Sequence, residues 1–204
     1  MPSFVTSTAC IQTLTNQRLI NERMKMQAQD ILTFWFEEIT PAQHWKKDPD
    51  FDQLIAHRFG ALLTSAARCE LFSWRSTPAG RLAEIIVLDH FSRNIYREQA
   101  NSFAQDPLAL ALAQEAINCG ADLALPPAQR VFLYMPFMHS ESVLIQEVAV
   151  DLFQKLGVTG NFEFAMKHKK IIDQFGRYPH RNAILGRVST EAEIAFLKLP
   201  GSGF

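Results

Sequence analysis

Asp-Pro occurs twice, at Asp48-Pro49 and Asp106-Pro107, each time just ahead of apolar residues at helical spacing. An aspartate accepts from the free N–H groups of a first helical turn. Proline fits the position behind it, because the N–H it lacks would have no partner there. Each pair therefore marks a helix start. After the first, Phe51, Leu54, Ile55, Phe59, Leu62 and Leu63 keep close to a 3.6-residue period and predict a helix to about Cys69. After the second, a helix is expected to close at Gly120. Comparable patterns predict helices from Ala28 to Glu38, Gly80 to Arg97, Phe137 to Leu156 and Phe162 to Phe175. Pro126-Pro127 opens another, which Pro136 is expected to interrupt or restart. Thr190 and Glu193 form a capping box for a short last helix. No run of alternating β-branched residues and no Asn-Gly turn offers a strand. The fold class read from this pattern is all-α: seven to nine helices in antiparallel pairs, forming a short solenoid or an irregular bundle.

The 204 residues suit one helical domain over 27–204, preceded by a loose extension over 1–26. That extension is rich in Ser and Thr and has no acidic residue before Glu22; a start at Met24 or Met26 is an alternative. Sixteen phenylalanines against three tyrosines and three tryptophans point to a core packed with rings that carry no polar handle. A net charge of -1 argues against nucleic acid as a partner. No apolar run approaches the ~18 residues that span a bilayer, so no membrane association is expected. Cys10, Cys69 and Cys119 are odd in number and contain no C-x-x-C, which fits a reducing, cytoplasmic setting. Cys69 and Cys119 end apolar helical patterns and are expected to fill the core.

Three polar segments carry the chemistry. The first is Phe175-Gly-Arg-Tyr-Pro-His-Arg-Asn182 with Leu185-Gly-Arg187 and Ser189-Thr190. It concentrates Arg177, Arg181 and Arg187 with His180 and Asn182 in a Gly- and Pro-punctuated loop. Guanidinium forks bind carboxylate or phosphate two bonds at a time, so this loop predicts an anion. The second is the helix Leu82 to Arg97, where Asp89, Arg93 and Arg97 stack in one row and His90 and Asn94 in the next. Leu82 and Ile86 are apolar on the same face, so the helix is expected to begin in the core and end lining a cavity. The plainer reading is an exposed helix end with an Asp89–Arg93 pair.

The third segment is Met135-Pro-Phe-Met-His-Ser-Glu141. A helix starting after Pro136 would offer free N–H groups to an anion. Flanking Met135, Phe137 and Met138 would partly desolvate His139 and Glu141 and suit them to proton transfer. The candidate catalytic residues are therefore His139, Glu141 and His180. The candidate ligand-binding residues are Asp89, His90, Arg93, Asn94, Arg97, Arg177, Arg181, Asn182 and Arg187. Structural hydrogen bonding by these histidines is the competing reading. His-x-Glu is a weak metal pattern and no H-E-x-x-H is present, so neither metal nor cofactor is assigned. His44 and His57 read as ordinary surface or helix-side residues.

Taken together, Leu88-Asp-His-Phe-Ser-Arg-Asn94 with Arg97, the Met135 to Glu141 segment and the Phe175 to Asn182 loop resemble the bacterial family of unknown function 924. Ile31-Leu-Thr-Phe-Trp-Phe36 and Trp45 with Asp50-Phe51-Asp52 agree with it, and the resemblance covers about residues 28 to 199. It implies an all-helical fold similar to tetratricopeptide-repeat domains, and no established activity. The chain departs from the family at His90, where glutamine is usual, and at Ser92, where proline is usual. The histidine adds a titratable group to the polar stripe.

Three functional readings stay open. In one, the arginines converge with His139, Glu141 and His180 on a pocket for a small phosphorylated or carboxylated molecule, as in a hydrolase or transferase. In another, a helical groove takes an acidic peptide. In the third, the arginines form internal ion pairs with Asp89, Glu141 and Asp173.

Overall fold

The computed structural model describes residues 26–158 and 160–203. The extension expected over 1–26 therefore lies, except for Met26, outside the described residues, as do Cys10 and the alternative start at Met24. Eight helices make up the described chain, with no strand among the described residues. The first, α1, begins as Ala28–Thr33 and widens into a π-turn over Phe34–Glu38. Helix α2 is Pro49–Ala67, capped by the Asp48 carboxylate on the N–H groups of Asp50 and Phe51. Helix α3 runs through Pro78–Ile86, the π-turn Val87–Phe91 and Ser92–Ile95. Then follow α4 (Asp106–Asn118), α5 (Pro127–His139), α6 (Val143–Leu156), α7 (Asn161–Phe175) and α8 (Glu191–Leu197). Short 3₁₀ turns such as Pro41–His44 and Pro179–Arg181 fill connections that read as plain loop in the sequence.

Helix α3 occupies the centre and packs on α1, α2, α4 and α5. Every residue from Leu82 to Ser92 is buried, so α3 has no solvent face along this stretch. Phe34, Phe51, Phe59 and Phe91 meet across α1, α2 and α3, with ring centroids 4.8 to 6.2 Å apart. From α4 to α7 each helix packs on the next, and short connections fold each back on its predecessor. The entry to α3 depends on Gly80, where an added Cβ would lie 2.0 Å from the Trp74 carbonyl oxygen. Thr77 caps this start by accepting from the Gly80 N–H. That cap sets the helix at Pro78, two residues before the predicted Gly80. No helix among the described residues is long and apolar enough to cross a membrane.

Two boundary predictions change. Pro136 does not break α5, which continues to His139; the chain turns at Ser140 instead, where the backbone becomes extended, and Ser142 caps α6. The Gln146 amide donates toward the carbonyls of Met138 and Ser140, left free at the helix end, at 2.8 and 2.7 Å, which makes this stop sustainable. Helix α3 ends at Ile95, so Arg97 falls beyond the row it was expected to share with Asp89 and Arg93. Cys69 and Cys119 are exposed free thiols rather than core filler, because each sits just past its helix, where the chain turns outward.

Candidate functional site

The π-turn in α3 inserts Asp89 and His90 into the protein interior. Asp89 has 0% exposure. Its Oδ1 accepts from Arg93 Nη1 at 2.9 Å and from His139 Nδ1 at 2.8 Å. Burial alone would raise this carboxyl, but Arg93 and His139 outweigh it and hold it far below the usual carboxylate range. The second guanidinium nitrogen of Arg93 donates to Asp106 at 2.9 Å. Asp106 accepts from Arg181 as well, at 3.2 Å. The other Arg181 Nη donates to the His139 carbonyl at 3.0 Å. Two rings flank Arg181, Phe103 at 4.4 Å and Tyr178 at 4.6 Å from the guanidinium carbon. Asp89, Arg93, Asp106, Arg181 and His139 thus form one continuous cluster joining α3, α4, α5 and the Pro179–Arg181 turn.

A second cluster locks the C-terminal loop. Arg187 grips Glu141 with two hydrogen bonds of 2.6 and 2.9 Å, and Glu141 also accepts from the Tyr178 N–H at 2.7 Å. Desolvation opposes ionisation of Glu141, but Arg187 and the Tyr178 N–H prevail and lower its pKa. Arg187 Nε donates to the side-chain Oδ1 of buried Asn182, and the Asn182 side-chain amide donates to Ser189. Arg177 holds Glu193 in the same two-pronged way. Asn94 and Arg97 turn aside altogether and bind Asp52 on α2.

The structure therefore joins Asp89, Arg93, His139 and Arg181, but does not bring all five arginines to one pocket. Arg93, Arg97, Arg177, Arg181 and Arg187 each face a carboxylate: Asp89 with Asp106, Asp52, Glu193, Asp106 and Glu141 respectively. Of the internal partners expected, Asp89 and Glu141 are found, whereas Asp173 pairs with Lys169 one turn away on its own helix. The free N–H groups expected beside His139 are also absent from the site, because α5 ends there instead of beginning. Arg181 is the least neutralised cation of the set. It is 6% exposed, shares its one carboxylate with Arg93 and has no partner for its Nε. Burial and the neighbouring Arg93 lower its pKa.

His90, His139, His168 and His180 are neutral for one shared reason, desolvation. His90 and His168 are pushed down to about 3 and His180 to about 4, and His139 is lowered as well despite Asp89. His90 is thus not the titrating group its place on the polar stripe predicted. His44 is not an ordinary surface residue either. It hydrogen-bonds the Trp35 carbonyl at 2.8 Å and packs on Trp35 and Phe132, with burial lowering its pKa.

Among the described residues no group of three or more His, Cys, Asp or Glu could hold a metal ion. Sequence reading missed Asp106, Asp52, Glu193 and Tyr178. Asp106 was legible only as a helix start, and its position in the first turn of α4 is what lets it face two arginines.

No functionally curated protein matches this chain. A solved structure of a protein of unknown function from Agrobacterium tumefaciens is similar, at 41% identity and a TM-score of 0.80, covering 84% of this chain and 96% of that one. The model of a bacterial protein family of unknown function, DUF924, matches residues 31–201. The chain belongs to that family.

Proposed function

We propose that this protein binds a small phosphate- or carboxylate-bearing molecule beside Arg181 and uses His139 as a general base in a hydrolytic or group-transfer reaction. The observation that carries this reading is the 2.8 Å bond between His139 Nδ1 and Asp89 Oδ1. An ionised carboxylate only accepts, so Nδ1 carries the proton and Nε2 keeps its lone pair. Asp89 is fixed by Arg93, and His139 is neutral and still 11% exposed at the end of α5. That combination of a buried orienting acid and a neutral, reachable imidazole suits proton abstraction. Arg181 reaches the His139 carbonyl, which places an incompletely neutralised cation on the backbone of the base itself. Glu141 is fully engaged with Arg187 and Tyr178 and acts in positioning the loop. His180, next to Arg181, flanks the ligand.

The acidic-peptide reading draws less support, because the arginines such a peptide needs are engaged with internal carboxylates.

A thermal-shift panel of phosphates, phosphosugars, nucleotides and carboxylates tests the proposal. Arg181→Ala is a poor probe, since it would strip a buried pair and cost ~3 kcal/mol or more of stability. Arg181→Lys keeps the charge opposite Asp106 and loses the fork. A ligand at ~100 times its dissociation constant adds about 2.7 kcal/mol, a shift of a few degrees. The expected result is a shift for one chemical class in the wild type, weakened in Arg181→Lys and kept in His139→Gln. No shift across the panel with folded wild-type protein would refute the reading.

A further inference from the structure

Two π-turns meet inside this protein. Phe34–Glu38 in α1 and Val87–Phe91 in α3 each widen their helix by one residue, and they do so against each other. Trp35 from the first lies 5.3 Å from His90 and 5.6 Å from Phe91 of the second, ring centroid to ring centroid. A π-turn costs hydrogen-bond geometry and persists where the displaced side chains have a use. Here the π-turns carry three buried polar atoms that lack a hydrogen-bond partner, on neighbouring residues: Trp35 Nε1, Asp89 Oδ2 and His90 Nε2. Asp89 Oδ2 and His90 Nε2 are 3.4 Å apart without forming a hydrogen bond, so one guest atom can reach both. Buried polar atoms are rarely left unpaired, and three on neighbouring residues call for a shared partner.

Their chemistry selects that partner. The indole N–H only donates, so the guest must accept. The Asp89 oxygen only accepts, so the guest must also donate. A fully deprotonated anion has no proton for Asp89, and an ammonium group has no lone pair for Trp35. A single oxygen that both accepts and donates satisfies the set. We infer that Trp35, Asp89 and His90 form a buried hydroxyl-binding site, filled by a water molecule or by the alcohol group of a bound ligand. A water would make three hydrogen bonds there, the usual number for a buried one. This inference does not rest on Arg181 or on any anion, so the two proposals fail separately.

The test reads the Trp35 indole N–H in the wild-type protein by ¹H–¹⁵N spectroscopy. Assignment uses Trp45→Phe and Trp74→Phe, which leave the three atoms untouched. Cross-relaxation with a long-lived water that persists on adding glycerol identifies water as the guest. Loss of that signal with a shift of the Trp35 resonance on adding glycerol identifies a site for an alcohol hydroxyl. Both results support the site. An indole resonance with neither water cross-relaxation nor a response to glycerol would overturn it.

Discussion

Acidification is the perturbation to which this fold should be most sensitive. His90 and His168 are buried, His180 is half-buried, and desolvation pushes their pKa values down to about 3, 3 and 4. In the unfolded chain each reverts to ~6.5. Between these values the unfolded state takes up protons that the native state refuses. The stability these groups leave intact above ~6.5 is therefore lost progressively as the pH falls below it. Taking pH 7 to pH 5, each histidine removes ~2 kcal/mol and the three together ~6 kcal/mol. That is comparable with the whole stability of a typical domain, ~5–15 kcal/mol. His139 and His44, also lowered by burial, act in the same direction. Urea unfolding at pH 7, 6 and 5, followed by circular dichroism, should show the midpoint falling steeply below pH 6.5. His168→Gln should flatten the slope by about one proton per molecule. A midpoint unchanged from pH 7 to pH 5 would refute the claim that these imidazoles are buried in their neutral form.

Other outcomes follow from the ion pairs and the thiols. Glu141→Gln keeps the side-chain shape but leaves Arg187 without its anion, and should cost about 2 kcal/mol in urea unfolding; a loss below ~0.5 kcal/mol would mean that the clamp is idle. Glu84 is fully buried in α3 and receives two hydrogen bonds of 2.7 Å from Arg75. Glu84→Ala should therefore destabilise by ~3 kcal/mol or more in the same assay. Cys69 and Cys119 are exposed, so both should be alkylated by iodoacetamide in the native protein, read by peptide mass. Labelling that requires denaturant would place them inside.

The helices were legible because their punctuation is local. Asp48-Pro49 and the Thr190–Glu193 box each describe a first turn by chemistry within four residues. The Asp89–Arg93 pair was legible for the same reason, as an i,i+4 contact. The rest of the site was not, because its partners are distant in sequence. Arg187 finds Glu141 46 residues away, and Arg181 finds Asp106 75 residues away. No spacing rule encodes such pairs. An arginine-rich loop looks the same in sequence whether it awaits a ligand or closes on the protein's own carboxylates. The π-turns were illegible too, since one extra residue per turn leaves no compositional mark. Yet they put Asp89 and His90 inside a helix that has no solvent face between Leu82 and Ser92. Burial, not sequence type, then decides that His90 stays neutral.

The central claim is that Asp89 holds His139 as a neutral base with its Nε2 lone pair available. The ¹⁵N imidazole shifts of His139, followed through a pH titration of histidine-labelled protein, test it directly. The expected result is a proton on Nδ1, no protonation near pH 6.5, and a change in the His139 signal when the active anion class is added. A His139 that protonates near pH 6.5, or that carries its proton on Nε2, would contradict it.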